Sequence, residues 1–410
     1  MNQTGILIFV SVILLIFVAF DTYFLIKWKK LVAIRQWKKL YFQIPLIISI
    51  IMLLLFIYVT YGRVLNDEKN SSVNIAFMIT SIWYLPKIII VPIMFFWDTI
   101  KGFYRLLRNL FTKKSVKSEI PIVKSRRKFV QNVTWSFAGI PFIAAFKGIL
   151  HTAYDFKVHR IDLPLIKLSP ELDGLKIIQI SDLHFGSFYS REPLLDALFT
   201  INNLHPDLIF ITGDFVNFNP KEMDFGFDIM EKLKAKHGIY ACLGNHDHYM
   251  SKPDHQYLLS FFDDSPVRLL NNENTVLNIN GKNINIAGVD NYGSRQTFGD
   301  FDKALAGLNN TDPTLLLCHD PTNWDRFLRG KSDVDVTFSG HTHGGQLGFD
   351  LLGKHYSPVT WAYKQYAGLY HDSDQYLYVN RGLGMSGPPI RLGVNPEITL
   401  FTLKTPDFVT

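Results

Sequence analysis

Cysteine is almost missing from this chain. Cys242 and Cys318 are the only two in 410 residues, and each sits in a short apolar run with the pattern of a buried strand. That excludes a disulfide framework and a structural zinc site built on clustered thiolates, so both are read as packing residues. Internal repeats and paired, interrupted apolar segments are also lacking, which argues against a transport path. The net charge of +6 could suggest a nucleic-acid partner. Lys and Arg gather beside the apolar segments, however, where membrane topology accounts for them, and no nucleic acid is expected.

The long apolar runs lie almost entirely within residues 1–151. Residues 5–26, 41–61 and 74–97 each reach the roughly 20 residues that a bilayer span requires, and all three read as transmembrane helices. The first is followed by Lys27, Lys29, Lys30, Arg35, Lys38 and Lys39. The third is followed by a second basic stretch running from Lys101 to Lys128, whereas the loop between spans two and three carries only Arg63 and Lys69. The positive-inside rule puts both basic loops in the cytoplasm and the N-terminus outside. Lys87 falls inside the third span; a long side chain can reach the interface or pair with Asp21 of the first span, and no functional role is assigned to it.

A fourth, shorter apolar segment covers about residues 133–150 and carries Pro141; its length suits an interfacial helix as well as a span. Before it stands Ser125-Arg126-Arg127-Lys128-Phe129-Val130. This has the form of a twin-arginine export signal, which would put the following domain outside the membrane, and equally of the end of a cytoplasmic basic loop. Residues 152–171 are read as a linker.

From residue 172 to about 405 the pattern changes to short apolar runs separated by polar turns and amphipathic helices. Strands are expected at 175–180, 208–212, 239–243, 284–289, 315–318, 334–338, 376–379 and 398–403, with helices between some of them. The expected class is α-helical transmembrane segments followed by an α/β domain. Five strand ends lead into polar clusters: Asp182-Leu183-His184, Gly213-Asp214, Gly244-Asn245-His246-Asp247, His319-Asp320 and Gly340-His341-Thr342-His343. Strand ends are where α/β proteins place ligands, and this donor set is too rich for one ion. Carboxylate and amide oxygens mixed with imidazoles suit two divalent cations of the Mn, Fe or Zn type.

These motifs, in this order over residues 172–403, resemble the signature of the calcineurin-like metallophosphoesterases. The resemblance implies a four-layer fold, two mixed sheets in a β-sandwich flanked by helices. It also implies that Asp182, His184, Asp214 and His343 hold one metal, and that Asp214, Asn245, His319 and His341 hold the other. His246 matches the family's non-ligand histidine that contacts phosphate, with Asp247, where many members have Glu, able to orient it. The implied reaction is metal-dependent hydrolysis of a phosphoester or pyrophosphate.

Two features bear on the substrate: the anchor, and the apolar residues flanking the motifs, among them Phe185, Phe188, Tyr189, the run 347–352 and the run 361–370. They suit a lip for an acyl or prenyl chain. With the glycine- and proline-rich run 381–391, they resemble a membrane-associated bacterial subgroup that includes UDP-2,3-diacylglucosamine pyrophosphohydrolases of lipid A biosynthesis. The expected partners are therefore the bilayer and a phosphorylated, lipid-linked small molecule. That nucleotide lipid is cytoplasmic, so it requires a cytoplasmic domain. The alternatives are a tethered phosphodiesterase or phosphatase acting on a soluble or extracytoplasmic ester, and a non-catalytic sensor of metal or nucleotide.

Overall fold

In a computed structural model the chain forms two compact units, residues 1–149 and 150–410; residues 3–62, 71–111, 121–352 and 354–406 are described. The first unit holds α1 (Gln3–Arg35), α2 (Leu40–Thr60), α3 (Ser71–Phe111) and α4 (Pro121–Leu150). Among the described residues, four helices are long and apolar enough to cross a membrane. Pro86 and Pro92 are accommodated within α3, and Pro141 lies within α4, so the short fourth apolar segment belongs to a longer helix. Apolar side chains such as Leu15, Leu54, Phe96 and Ile143 point outward, the reverse of a helix in water. Polar groups turn inward. Lys87 pairs with Asp21 in a fully buried contact, Tyr84 donates to Asp21 at 3.2 Å, and the ammonium lies 3.6 Å from the Trp83 ring centroid. Phe17 stacks on Tyr84 at 3.9 Å beside this pair. The Arg126-Arg127 segment is helical within α4; Arg63, Lys69, Lys113, Lys114 and Lys117 lie outside the described residues.

The second unit begins with β1 (Lys157–Pro164), β2 (Lys176–Ile180), α5 (Glu192–Asn203), β3 (Leu208–Thr212), α6 (Met223–Met230), β4 (Ile239–Cys242), α7 (Lys252–Ser260) and β5 (Val267–Leu269). It continues through β6 (Glu273–Ile279), β7 (Lys282–Val289), α8 (Phe301–Leu305), β8 (Thr314–Cys318) and β9 (Val336–Ser339). A ribbon of β10 (Phe349–Leu351) and β11 (Lys354–Tyr356) precedes β12 (Gly368–Asp372), β13 (Gln375–Val379) and β14 (Glu397–Lys404). One sheet has the order β1-β14-β2-β3-β4-β5, the other β12-β13-β9-β8-β7-β6. The segment read as a linker is therefore part of the fold: β1 pairs with β14 along its whole length. As an edge strand whose residues are exposed or half-exposed but for Leu163, it has no continuous apolar run to announce it.

Every residue of β3, β4, β8 and β9 is buried, because strands covered on both faces need apolar side chains in both directions. Alternation divides each strand between two cores. Ile177, Leu208, Phe210 and Tyr240 meet Ile286, Leu315, Leu317 and Phe338 between the sheets. Ile178, Ile209 and Ile211 face Leu194, Ile201 and Phe227 on the outer side. Ala287, Leu316 and Leu377 of the second sheet are covered by Ala304, Trp324 and Leu328. The layers are helix, sheet, sheet, helix, as expected. Because β2, β3 and β4 run parallel, with Ile178 beside Ile209 and Ile209 beside Ile239, their carboxyl ends emerge side by side. Parallel β8 and β9 do the same in the second sheet.

Candidate metal centre

The loops leaving β2 and β3 remain stitched together: Asp182 N–H donates to Gly213 O, His184 N–H to Asp214 O and Phe185 N–H to Phe215 O, each at 2.9 Å. Keeping these bonds while turning the side chains to one rim requires backbone in the left-handed region. Asp182, His184, Asp214, His341 and His343 have φ of 49°, 40°, 55°, 72° and 52°. Asp and His enter that region more readily than most residues, and five such positions gathered at one rim are of the kind that clusters at functional sites. Gly340 relieves one close approach: a Cβ on it would collide with Ser181 Oγ and the Asp182 carboxylate.

All seven residues taken from the sequence as ligands converge. Asp182, His184 and His343 form one group, and Asp214, His319 and His341 form another. His343 Nε2 lies 3.3 Å from Asp182 Oδ1 and 3.1 Å from His184 Nε2. The Asp214 carboxylate stands between the groups, 3.6 Å from His184 Nε2 and 3.2 Å from His319 Nε2. Asn245 Oδ1 lies 3.2 Å from His319 Nε2 and 2.7 Å from His341 Nδ1. Its amide donates to Tyr249 Oη at 2.9 Å, which holds the oxygen toward the histidines.

The donor set fits divalent cations. His184 Nδ1 donates to Val216 O at 3.2 Å, so its Nε2 is the lone-pair nitrogen, and that atom faces a second imidazole and a carboxylate. Outer hydrogen bonds of this kind fix the tautomer of a ligand histidine. His319 Nδ1 is anchored on Thr212 O at 2.7 Å, and Tyr363 Oη sits 2.8 Å from His341 Nε2.

Residues 175–345 match the family model described as calcineurin-like phosphoesterase. Over 239 residues the chain is 34% identical to the uncharacterized metallophosphoesterase YkuE of Bacillus subtilis, covering 57% of this chain and 80% of that protein. The chain belongs to the calcineurin-like phosphoesterases. Residues 4–153 match a second model, described as the transmembrane domain of a probable calcineurin-like phosphoesterase. An uncharacterized metallophosphoesterase of Campylobacter jejuni is 27% identical over 407 residues, 97% of this chain and 98% of its own. A bovine transmembrane protein with metallophosphoesterase domain is 30% identical over 269 residues, 63% of this chain. The match covers 59% of the bovine protein's length and 61% of its zebrafish counterpart's.

Burial and the neighbouring carboxylates set the protonation of the candidate ligands. Burial holds the His184 pKa down at about 3, that of His341 at about 4, and that of His343 well below the ordinary range. Neutral imidazoles of this kind are the form that binds metals. At His319 burial also opposes charge, but Asp214 and Asp182 outweigh it and push the pKa up to about 10. Burial works against ionised Asp214 too, and His319, His246 and His184 more than compensate, holding its carboxyl well below the usual value.

One expected contact is absent. Asp247 does not orient the His246 ring; its carboxylate accepts from the backbone N–H groups of Asp214 at 2.9 Å, Phe215 at 2.8 Å and Gly244 at 2.8 Å. Fully buried, it ties the turn after β3 to the turn after β4. The His246 ring is set instead by the Asn217 carbonyl, 2.7 Å from Nδ1, and lies edge-on to His184 at 4.8 Å. Asn217 N–H in turn donates to Glu222 at 2.7 Å. Neither Asn217 nor Glu222 belongs to a motif, and only the folded loop reveals them.

Two histidines near the centre that match no motif position have structural partners. His248 lies 2.6 Å from Asp290 and stacks on Phe298, while His255 Nδ1 is 2.9 Å from Asp247 O. Arg391 is wholly buried behind the centre, donating to the carbonyls of Arg381, Gly382 and Gly384, and Arg381 pairs with Glu397. Of the expected apolar lip, Phe185 and Phe188 are core, whereas Leu347, Phe349, Leu352 and Trp361 are exposed.

Proposed function

We propose that this protein is a membrane-anchored phosphohydrolase in which Asp182, His184, Asp214 and His343 hold one divalent metal and Asp214, Asn245, His319 and His341 a second. The placement of Asp214 between two imidazole groups carries this reading, since one carboxylate is thereby available to both ions. When bound, the two metals would supply Lewis acidity toward the phosphoryl oxygens and would lower the pKa of the attacking water. His246, with Nδ1 anchored on Asn217 O, presents Nε2 to protonate the departing oxygen. Asp247 acts through the backbone that carries Asp214 and Asn245.

The substrate proposed is a lipid-linked phosphate or pyrophosphate on the outer side of the membrane. Leu352 and Trp361, 93% and 89% exposed, support the lipid part, since solvent-facing groups of this size suit an acyl chain or a bilayer surface. The side follows from charge. With basic loops after α1 and α3 in the cytoplasm, α4 starts inside, and its apolar stretch can carry the chain out. An outward domain disfavours UDP-2,3-diacylglucosamine and leaves a soluble extracytoplasmic ester as the second reading.

The test uses full-length protein in detergent, stripped with a chelator and reloaded with Mn²⁺, assayed on a prenyl pyrophosphate, UDP-2,3-diacylglucosamine and bis(p-nitrophenyl) phosphate beside Asp214→Asn. Cleavage of the prenyl substrate above the others, abolished by chelation and by Asp214→Asn, is expected. Preference for the nucleotide lipid would overturn the outward topology. Hydrolysis of the soluble diester alone would remove the lipid. Inertness toward all three would sink the enzymatic reading.

A further inference from the structure

A cleft of about 460 Å³ opens directly from the metal centre, with the candidate ligands Asn245 and His341 in its wall and Arg295, Arg326, Asn291 and Tyr363 among its other lining residues. That volume suits a small organic head group. Its chemistry is not that of an acyl pocket.

The loop after β7 that carries Arg295 is a built element. Gly293 N–H donates to Gln296 O at 2.7 Å, Tyr292 bridges Thr297, and Gln296 Nε2 reaches the Asn245 carbonyl at 3.1 Å. Asn291 donates to Gln296 Oε1 at 2.6 Å, which fixes its amide orientation. Its Oδ1 is then left without a partner on a side chain only 2% exposed. A buried acceptor of this kind is costly unless a ligand completes it.

The two arginines are the second observation. Among the described residues, neither Arg295 nor Arg326 has a carboxylate within ion-pair distance, whereas Arg329, three residues on, lies near both Asp325 and Asp372. Asp320 also lines the cleft, but its Oδ1 is taken by the Thr322 N–H and hydroxyl at 2.8 and 2.7 Å. Two unpaired guanidinium groups against one internally bonded carboxylate leave the cleft positive beside a centre that takes phosphate.

We infer that this cleft is a subsite for a second phosphoryl group of the same substrate, bound by Arg295 and Arg326, with Asn291 Oδ1 accepting from a hydroxyl on the group that carries it. The inference rests on the phosphohydrolase reading and narrows it to polyphosphates, pyrophosphates and esters bearing a second phosphate. Guanidinium is the side chain best matched to such an anion, through paired N–H donors.

The test compares wild type with Arg295→Ala, Arg326→Ala and the double variant, all full-length and Mn²⁺-loaded, on inorganic triphosphate, inorganic pyrophosphate and p-nitrophenyl phosphate. The double variant is expected to lose roughly 10- to 100-fold in kcat/KM on the two polyphosphates, mostly in KM. Turnover of p-nitrophenyl phosphate should stay within about twofold. Equal loss on all three probes, or no loss on the polyphosphates, overturns the subsite. Calorimetric binding of methylenediphosphonate, which is not hydrolysed, separates the two claims. Binding weakened by the double variant in a protein inert toward every substrate would keep the subsite and refute the hydrolase; binding indifferent to both arginines would refute the subsite.

Discussion

Asp247 and His246 are neighbours in sequence with different tasks. The Asp247 carboxylate is fully buried, and burial together with Asp214 pushes its pKa up to about 7; it holds backbone donors of two loops that carry candidate ligands. Asp247→Ala orphans those donors, at about 1–3 kcal/mol for each buried group left unsatisfied. The expected outcome is a lower melting temperature together with reduced metal content by mass spectrometry. His246→Ala gives up a single side-chain hydrogen bond, to the Asn217 carbonyl, and leaves the Asp247 contacts intact. It should keep its metals and its melting temperature while kcat falls roughly 10²- to 10⁴-fold. Loss of metal in His246→Ala would instead make it a ligand, beside His184 and Asp214.

At the scale of elements, the centre depends on five turns that fit only in one arrangement. Gly340 lets the turn after β9 approach β2 so closely that a Cβ would strike Ser181 and Asp182. Gly340→Ala should therefore displace His341 and His343 together. The observable is Mn²⁺ stoichiometry by calorimetry, expected to fall below two per chain while circular dichroism of the sheets is unchanged. Full stoichiometry would mean that the turn yields elsewhere. The cleft loop is tied to the same framework through Gln296 and Asn245, and through the buried His248–Asp290 pair.

For the whole molecule, the outward topology proposed above predicts that protease reaches the second unit from outside the cell. Spheroplasts or intact cells treated with protease should lose the domain after residue 150 if α4 spans outward, and retain it if α4 lies along the surface. A second global property is the inertness of its thiols. Burial pushes Cys318 up to about 12 and Cys242 well above the ordinary thiol range. Alkylation at pH 8 should modify neither in the folded protein and both after denaturation.

Local chemistry made much of this protein legible in its sequence. Strands buried on both faces need continuous apolar runs, so the expected strand at 208–212 coincides with β3 and that at 315–318 falls within β8. Metal-binding side chains are confined to a few residue types, so the candidate ligands Asp182, His184, Asp214, Asn245, His319, His341 and His343 stood out through their motifs after those strands, and the fold brings them together. Lipid-facing helices were legible for the same reason, because a span must be apolar over its length. What depends on non-local geometry was not. β1 is recognisable only from its pairing with β14, more than 200 residues away. The left-handed backbone at the strand ends follows from ladder bonds between loops, and Asp247 turned from the His246 ring to main-chain donors because the turns after β3 and β4 meet there. Asn217, Tyr363, Asn291 and Arg295 carry no motif at all. Their roles arise where separate loops close on one rim, and only the tertiary structure sets which atoms meet.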